Sequence, residues 1–209
     1  MKIILIQQAG TDMQWSARYD AAGFERAVRE ERTHAAVPPD CRKGDASGYR
    51  VYTGTAPASV QTAELLFDLS APPIATELLD DVQLKAFRSE GRPLPRRMWQ
   101  TVGEIQWAVG SKRQSETRAE TLKRVKEFVT MLEKEERDCI VVSRGLTMAA
   151  LKTLLRGRGY CLEGGGLVPR PLERVRATKQ SLHCGGCAHN CLLSEAKCDT
   201  GKNKARGIR

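Results

Sequence analysis

The chain has 209 residues, a net charge of +9, and 41% hydrophobic but only 5% aromatic residues. This length is enough to bury a core in one domain, and the positive charge permits anionic partners without naming one. No apolar run is long enough to cross a bilayer, and the run at residues 3–6 is too short for a secretion signal. We therefore expect a cytoplasmic protein with no membrane partner, whose seven cysteines are free thiols or metal ligands.

Short apolar runs rich in β-branched residues alternate with amphipathic segments. They predict strands and helices in alternation: strands at 3–6, 50–53 and 139–143, and helices at 16–32, 59–69, 117–135 and 146–157. Thr117 and Glu120 form a potential capping box before the long helix. Residues 71–114, which contain several prolines, predict an insertion or lid with some helix. The alternation predicts an α/β fold, a three-layer α/β/α arrangement around a mostly parallel sheet.

Three loops follow the predicted strands. They read QQAGT after the first strand, GTAPAS after the second and SRG after the third. Because the carboxyl ends of parallel strands meet at one edge of a sheet, we expect these loops to lie together and to form the ligand site. Ser143 and Gly145 also lie at the start of a helix, where free backbone N–H groups favour an anion.

The three loops resemble those of the histidine phosphatase (phosphoglycerate mutase-like) superfamily over about residues 1–160. ILIQQAGTD stands where that family has L-I-R-H-G-E-T, and VYTGTAPASVQTAE where it has a strand followed by S-P-L-x-R-A-x-Q-T-A. VVSRGLTMAAL stands where the family has V-V-S-H-G and a helix, and QSETRAETLKRV is similar to its G-E-S segment. TELLDDVQL and LPRRMWQTVGEIQW are similar to the middle of one branch.

The resemblance implies a phosphoryl-transfer site from which the reacting groups are missing. In the family a histidine attacks phosphorus, two arginines and a second histidine hold the phosphate oxygens, and an acid protonates the leaving group. Here Gln7 and Gln8 replace the first arginine and the nucleophile, Ala58 the second arginine and Arg144 the second histidine, so that only the presumed acid, Glu116, remains. An amide nitrogen cannot accept a phosphoryl group, because its lone pair is delocalised. We therefore predict a catalytically silent member.

The altered site has two interpretations. Gln7, Gln8, Ser143 and Arg144 could hold a weak anion or a sugar phosphate through amide and guanidinium donors. Alternatively Arg144 pairs with Glu116 and fills the old site with an internal salt bridge, which we favour because an unmatched charge would otherwise remain. Glu116 can equally be a first-turn helix residue.

Two residues outside these loops have mainly structural interpretations. No histidine precedes His34, and we predict that His34 lies at the surface. Cys139 flanks the third strand and is expected in the core.

The composition changes after about residue 166, which divides the chain into a histidine phosphatase-like domain at 1–166 and a basic, cysteine-rich tail at 167–209. From residue 170 onward there are nine Lys/Arg and three Asp/Glu, so 9 − 3 = +6 of the net charge lies there. Four cysteines of the tail have the spacing C-x2-C-x3-C-x6-C: Cys184, Cys187, Cys191 and Cys198.

We expect these four cysteines to bind one metal centre. A C-x2-C pair lets two thiolates reach one ion from a tight turn, and Gly185 and Gly186 supply the permissive backbone. The spacing fits neither a standard zinc ribbon nor the bacterial ferredoxin run, so zinc, an iron–sulfur cluster and free or redox-active thiols stay open, with zinc first. His183 and His189 are substitute ligands.

Three functions follow from these observations. The first is a silent phosphatase-like protein with a metal-binding tail and a binding or regulatory role. The second is an enzyme: a divergent phosphatase acting on a phosphate monoester, or redox chemistry at the tail. The third is a nucleic-acid-associated zinc protein, in which the basic tail contacts nucleic acid or an acidic partner.

Overall fold

The computed structural model describes residues 1–88, 91–165 and 170–179. Its strands are Lys2–Gln7 (β1), Arg18–Tyr19 (β2), Gly44–Asp45 (β3), Arg50–Thr53 (β4), Phe67–Asp68 (β5), Ile74–Ala75 (β6), Leu94–Pro95 (β7), Cys139–Ser143 (β8), Tyr160–Glu163 (β9) and Arg174–Lys179 (β10). Its helices are Ala21–Glu31 (α1), Pro57–Leu66 (α2), Arg96–Ala108 (α3), Arg118–Glu135 (α4) and Gly145–Gly157 (α5), with a 3-10 turn at Glu77–Leu79. The four tail cysteines lie outside the described residues.

A six-stranded sheet in the order β6-β4-β8-β1-β10-β9 organises the fold. The contacts β6–β4, β4–β8 and β8–β1 are parallel, whereas β1–β10 and β10–β9 are antiparallel. The predicted α/β class with a mostly parallel sheet is confirmed. The parallel half brings the carboxyl ends of β1, β4 and β8 to one edge.

Apolar side chains cover both faces of the sheet. On β8, Cys139 and Val141 pack in the core cluster that contains the buried residues of α4 and α5, and Ile140 and Val142 pack in the cluster under α2. This alternation follows from the two-residue period of a strand. Cys139 is buried as predicted, and burial raises the pKa of its thiol to about 12.

The first predicted helix begins five residues later than expected. Asp20 caps α1, accepting a hydrogen bond from Gly23 N at 2.7 Å, because a short acidic side chain satisfies a free N–H of the first turn. The preceding Arg18–Tyr19 pairs with Leu94–Pro95 instead of continuing the helix.

The second predicted helix is also shifted. It begins at Pro57, a residue type suited to the first helical turn because it lacks an N–H group. It ends at Leu66, since Phe67–Asp68 pairs in parallel with Gly44–Asp45.

The sheet extends beyond the predicted start of the tail at residue 167. β10 pairs with β1 in antiparallel register, from Lys2 opposite Thr178 to Ile6 opposite Arg174. Val175 and Ala177 are buried whereas Arg174 and Arg176 are exposed, so the basic residues that suggested a separate tail lie on the solvent side of a sheet strand. These residues therefore belong to the α/β unit.

No helix within the described ranges is long and apolar enough to cross a membrane.

Candidate functional site

The carboxyl edge of the parallel strands borders a cavity of about 330 Å³. Gln8 N donates a 2.9 Å hydrogen bond to Ser143 O and Gly54 N a 3.3 Å bond to Val142 O, which ties the three loops together. Four residues singled out from the sequence line the cavity: Gln8 after β1, Ala58 in α2, and Arg144 and Gly145 after β8. The cavity thus lies where a ligand site of a parallel sheet is expected.

Of the two glutamines at the end of β1, Gln8 lines the cavity. Its side chain is 4% exposed, and its Oε1 accepts a 2.6 Å hydrogen bond from Ser59 Oγ in α2. Its amide nitrogen has no hydrogen-bonding partner among the described residues. Ala9 N donates to Thr62 Oγ1 at 3.1 Å and holds the start of the loop against α2. Gln8 therefore offers the cavity a donor, not a nucleophile.

Gln7 does not line the cavity. Its backbone is an extension of the sheet, since Gln7 N donates to Glu173 O and Gln7 O accepts from Leu172 N. Consecutive residues of a strand point to opposite faces, which separates the two glutamine side chains. Gln7 Oε1 is buried and has no hydrogen-bonding partner among the described residues.

Arg144 is neutralised by two carboxylates, neither of them Glu116. Its Nη2 lies 2.9 Å from Glu31 Oε2 at the end of α1, and its Nε lies 3.3 Å from Asp81 Oδ2. The predicted Arg144–Glu116 pair is therefore wrong. The predicted reason was correct, because a buried guanidinium does need a counter-charge. The chain supplies that charge from residues 31 and 81, which no local pattern connects to residue 144.

Asp81 also occupies the amino end of α5. Its Oδ1 accepts a 3.1 Å hydrogen bond from Leu146 N in the first turn. Gly145 has φ +53, and a Cβ added there would lie 2.5 Å from Asp81 Oδ2. The absence of a side chain at Gly145 thus lets the carboxylate approach the helix end. The anion site expected at this helix is filled by an internal anion.

Ser143 is likewise committed to the structure. It is 1% exposed, and its Oγ donates a 2.9 Å hydrogen bond to Leu79 O. Of the four anion-binding candidates, Gln8 and Arg144 reach the cavity, whereas Gln7 and Ser143 do not.

Glu116 lies in a separate ion-pair cluster outside the cavity lining. Arg124 Nε and Nη2 lie 3.1 and 3.0 Å from its two carboxylate oxygens, in a bidentate arrangement. The same guanidinium donates to Leu78 O at 2.7 Å and to Thr147 Oγ1 at 3.3 Å. Arg124 therefore joins α4 to the 3-10 turn and α5, and Glu116 is its ion-pair partner.

Burial and charge shift the pKa values of the groups in the cavity. Burial raises the pKa of Asp81 above its ordinary value, against the opposing effect of Arg144. Burial disfavours the charged form of Arg144, but Asp81 and Glu31 outweigh that effect, so its pKa is raised. Glu104 lines the cavity from α3 and is exposed to solvent. The part of its carboxyl environment that excludes water raises its pKa above the ordinary value.

Several lining residues were missed by the sequence analysis. They are the carboxylates Glu31, Asp80, Asp81 and Glu104, and the aromatic residues Trp15 and Phe24. The two adjacent aspartates of the segment LLDDVQ were the sequence feature that could have indicated carboxylates at this site. Asp80 accepts from Thr55 N at 2.6 Å and pairs with Arg32 at 2.9 Å, so it also closes the loop after β4.

Neither a histidine nor a cysteine is among the described residues that line the cavity. The side chain of His34, a predicted surface residue, is 29% exposed. Its Nδ1 lies 2.8 Å from Asp12 Oδ1, outside the cavity. Within the ranges 1–88, 91–165 and 170–179, there is no group of three or more His, Cys, Asp or Glu residues suited to a metal ion. The tail cysteines lie beyond those ranges.

No protein-family model and no curated protein sequence matches the chain. Among solved structures, it is similar to a mycobacterial glucosyl-3-phosphoglycerate phosphatase, with 12% identity, coverage of 83% of this chain and 95% of that one, and a TM-score of 0.44. It is similar to YhfR of Bacillus stearothermophilus, with 17% identity, coverage of 75% and 80%, and a TM-score of 0.46. For the ecdysone phosphate phosphatase of Bombix mori the values are 14%, 99% and 96%, and 0.42. At these identities and TM-scores, the similarities carry no argument about the function of this chain.

Proposed function

We propose that the chain is a catalytically silent, histidine phosphatase-like protein that binds a ligand in this cavity without converting it, in a binding or regulatory role. The observation that carries the proposal is the position of Asp81. Its carboxylate accepts from the amino end of α5 and pairs with Arg144. A phosphate group would need the same donors, so the chain already satisfies them with its own carboxylate.

The other groups needed for phosphoryl transfer are also lacking in the cavity lining. A covalent mechanism requires a nucleophile activated by a base, together with fixed positive charge for the oxygens of the transferred group. Gln8 offers an amide, and Ala58 offers a methyl group that is 1% exposed. Ser59 carries a hydroxyl group in the cavity lining, and it donates to Gln8 Oε1 rather than to a base. These contacts favour ligand binding over turnover.

A steady-state assay with an aryl phosphate, in buffer with a chelator, tests catalytic silence. We expect no release of phosphate above a buffer blank from the wild-type protein. The alternative function is a divergent phosphatase. It would be supported by turnover that disappears in the Arg144→Ala variant and persists in an Arg118→Ala variant, in which the exposed Arg118 of α4 is changed. Such a result would overturn the proposal.

We also propose that Cys184, Cys187, Cys191 and Cys198 bind one metal centre, zinc or alternatively an iron–sulfur cluster. The support is their spacing, four thiols within fifteen residues. Such a run is a suitable donor set for a thiolate-bound ion. Elemental analysis and an absorption spectrum of anaerobically purified protein test this. We expect about one zinc per chain; visible absorption with iron would assign a cluster, and neither metal would overturn the proposal.

A further inference from the structure

We propose that the cavity selects an organic cation with an apolar body, such as an arylalkylamine, and discriminates against phosphate esters. This rests on the proposed function, because it names the ligand class of the same cavity. The inference is carried by the charge that lines the cavity together with its apolar walls and one buried amide donor.

The walls are suited to an apolar body. Trp15, Phe24, Val28, Val82, Leu84 and Leu146 line the cavity. Phe24 is fully buried and stacks on Trp99, with ring centroids 5.6 Å apart, so that this wall is held in place from behind. A volume of about 330 Å³ lies in the range that holds a small organic molecule. Transfer of an apolar body from water into such walls is favourable.

The charged groups of the lining favour a cation. The lining contains four carboxylates and two guanidiniums: Glu31, Asp80, Asp81, Glu104, Arg32 and Arg144. With all six ionised, the lining carries 2 − 4 = −2. If the raised pKa of Asp81 left it protonated, the sum would still be −1.

Neither guanidinium is available to an incoming anion. Arg32 lies 2.9 Å from Asp80, and Arg144 lies 2.9 Å from Glu31 and 3.3 Å from Asp81. A phosphate dianion would therefore meet a lining of net negative charge in which both guanidiniums are already paired with carboxylates.

Glu104 is the carboxylate available to a ligand. No cation lies within ion-pairing distance of it in the described part of the chain, and burial alone shifts its pKa. Arg96 of the same helix lies outside the cavity lining, with its guanidinium 3.7 Å from the centroid of the Trp15 ring. A ligand ammonium group at Glu104 would pair with a carboxylate that no cation of the described residues occupies.

Gln8 supplies an independent sign of a ligand. It is 96% buried, lines the cavity, and keeps its amide donors without a partner among the described residues. The amide nitrogen is open to the cavity, so an acceptor atom or aromatic face of a ligand would give it a hydrogen-bonding partner. The ligand would therefore place its ammonium group towards Glu104 and an acceptor or ring towards Gln8.

Three probes with the same indole body and different charges test this inference by calorimetric titration: tryptamine, tryptophol and tryptophol phosphate. We expect tryptamine to bind about tenfold more tightly than the phosphate ester, with the alcohol between them. Glu104→Gln should weaken tryptamine binding roughly two- to fivefold and leave tryptophol unchanged. Glu127→Gln, which removes an exposed carboxylate of α4 outside the cavity, should change neither.

A second variant establishes where the probes bind. Ala149 is exposed and lines the cavity from α5, so Ala149→Trp should block binding of all three probes without entering the core. The inference is overturned if the phosphate ester binds as tightly as the amine, if Glu104→Gln acts no differently from Glu127→Gln, or if none of the probes binds. Hydrolysis of tryptophol phosphate would instead contradict the proposed catalytic silence, whatever the order of affinities.

Discussion

Asp81 stands in the position of a bound anion relative to Arg144, with its Oδ2 3.3 Å from the guanidinium Nε and its Oδ1 3.1 Å from the backbone nitrogen of Leu146. A helix amino end and an adjacent cation form a common anion site in proteins. In this chain the anion is covalently part of the structure. Asp81 therefore takes the place at this helix end that a bound anion would need.

Replacing this carboxylate should open the anion site. We expect Asp81→Asn to bind inorganic phosphate measurably, because the negative charge of Asp81 is removed from beside Leu146 N and the Arg144 guanidinium. Glu31 still pairs with Arg144 in this variant, so the loss of unfolding free energy should be about 1–3 kcal/mol. Urea denaturation measures the stability, and the shift of the thermal midpoint with phosphate measures the binding.

Asp40→Asn provides the control, because Asp40 is exposed and far from α5 in sequence. It should leave both measurements unchanged. If phosphate stabilises the wild-type protein as much as the Asp81→Asn variant, Asp81 does not block an anion site.

The parts of this structure that follow from local sequence were predictable. The apolar runs correctly predicted the strands β1, β4 and β8. The predicted capping box at Thr117 is also present, with Thr117 N donating to Glu120 Oε2 at 2.7 Å. The alternation of buried Val175 and Ala177 with exposed arginines could have revealed β10, but the high charge of the segment concealed it. The partner of Arg144 was not predictable, since residues 81 and 144 approach only through tertiary packing.

Glu104 should have a pH-dependent effect on stability. Burial raises its folded-state pKa above the ordinary value of 4.5. An acid with a raised folded-state pKa lowers stability when ionised, and this effect disappears as the pH falls through the raised pKa to below 4.5. Glu104→Gln should therefore stabilise the protein at pH 7, by no more than about 0.5 kcal/mol because the residue is exposed.

Denaturation of both proteins at several pH values tests this. The difference between wild type and Glu104→Gln should shrink towards zero on acidification. A constant or growing difference would contradict the assigned direction of the pKa shift. A wild-type protein that is more stable than Glu104→Gln at neutral pH would also contradict the assigned direction.

Glu116 and Arg124 should act as structural residues. Arg124→Gln removes both hydrogen bonds to Glu116 and those to Leu78 O and Thr147 Oγ1. We expect it to lower the free energy of unfolding by about 2–4 kcal/mol, since the remaining carboxylate is left partly buried and unpaired. Arg118→Gln, which changes an exposed arginine of the same helix, should change stability by less than about 0.5 kcal/mol. Equal effects of the two variants would refute the structural role.

Restoring a histidine alone should not restore catalysis. In Gln8→His the imidazole would lie in a cavity where Ala58 supplies no cation for the phosphate oxygens, and Arg144 would stay paired with Glu31 and Asp81. We expect no phosphohistidine after incubation with a labelled acyl or aryl phosphate. Detection of phosphate on residue 8 of this variant would show that the cavity accepts a phosphoryl group despite its acidic lining.

Metal removal should affect the tail and leave the α/β unit folded. Residues 182–201 contain only three large aliphatic side chains, Leu182, Leu192 and Leu193. So little apolar area cannot offset the entropy of ordering about twenty residues, at roughly 1–2 kcal/mol each. A thiolate-bound zinc ion contributes on the order of 10 kcal/mol and can fix one conformation. Lys197 and Lys202 would reduce the negative charge of four thiolates around a divalent ion.

Limited proteolysis before and after chelation, combined with metal analysis, checks this last prediction. Chelation should make the chain beyond residue 180 sensitive to protease. The fragment through β10 should survive, because Arg174–Lys179 pairs with β1 and β9 inside the sheet. Cys184→Ser combined with Cys187→Ser should reproduce the effect of chelation, whereas Cys41→Ser, at an exposed free cysteine, should not. A tail that contains no metal after anaerobic preparation and still resists protease would refute a metal-organised structure.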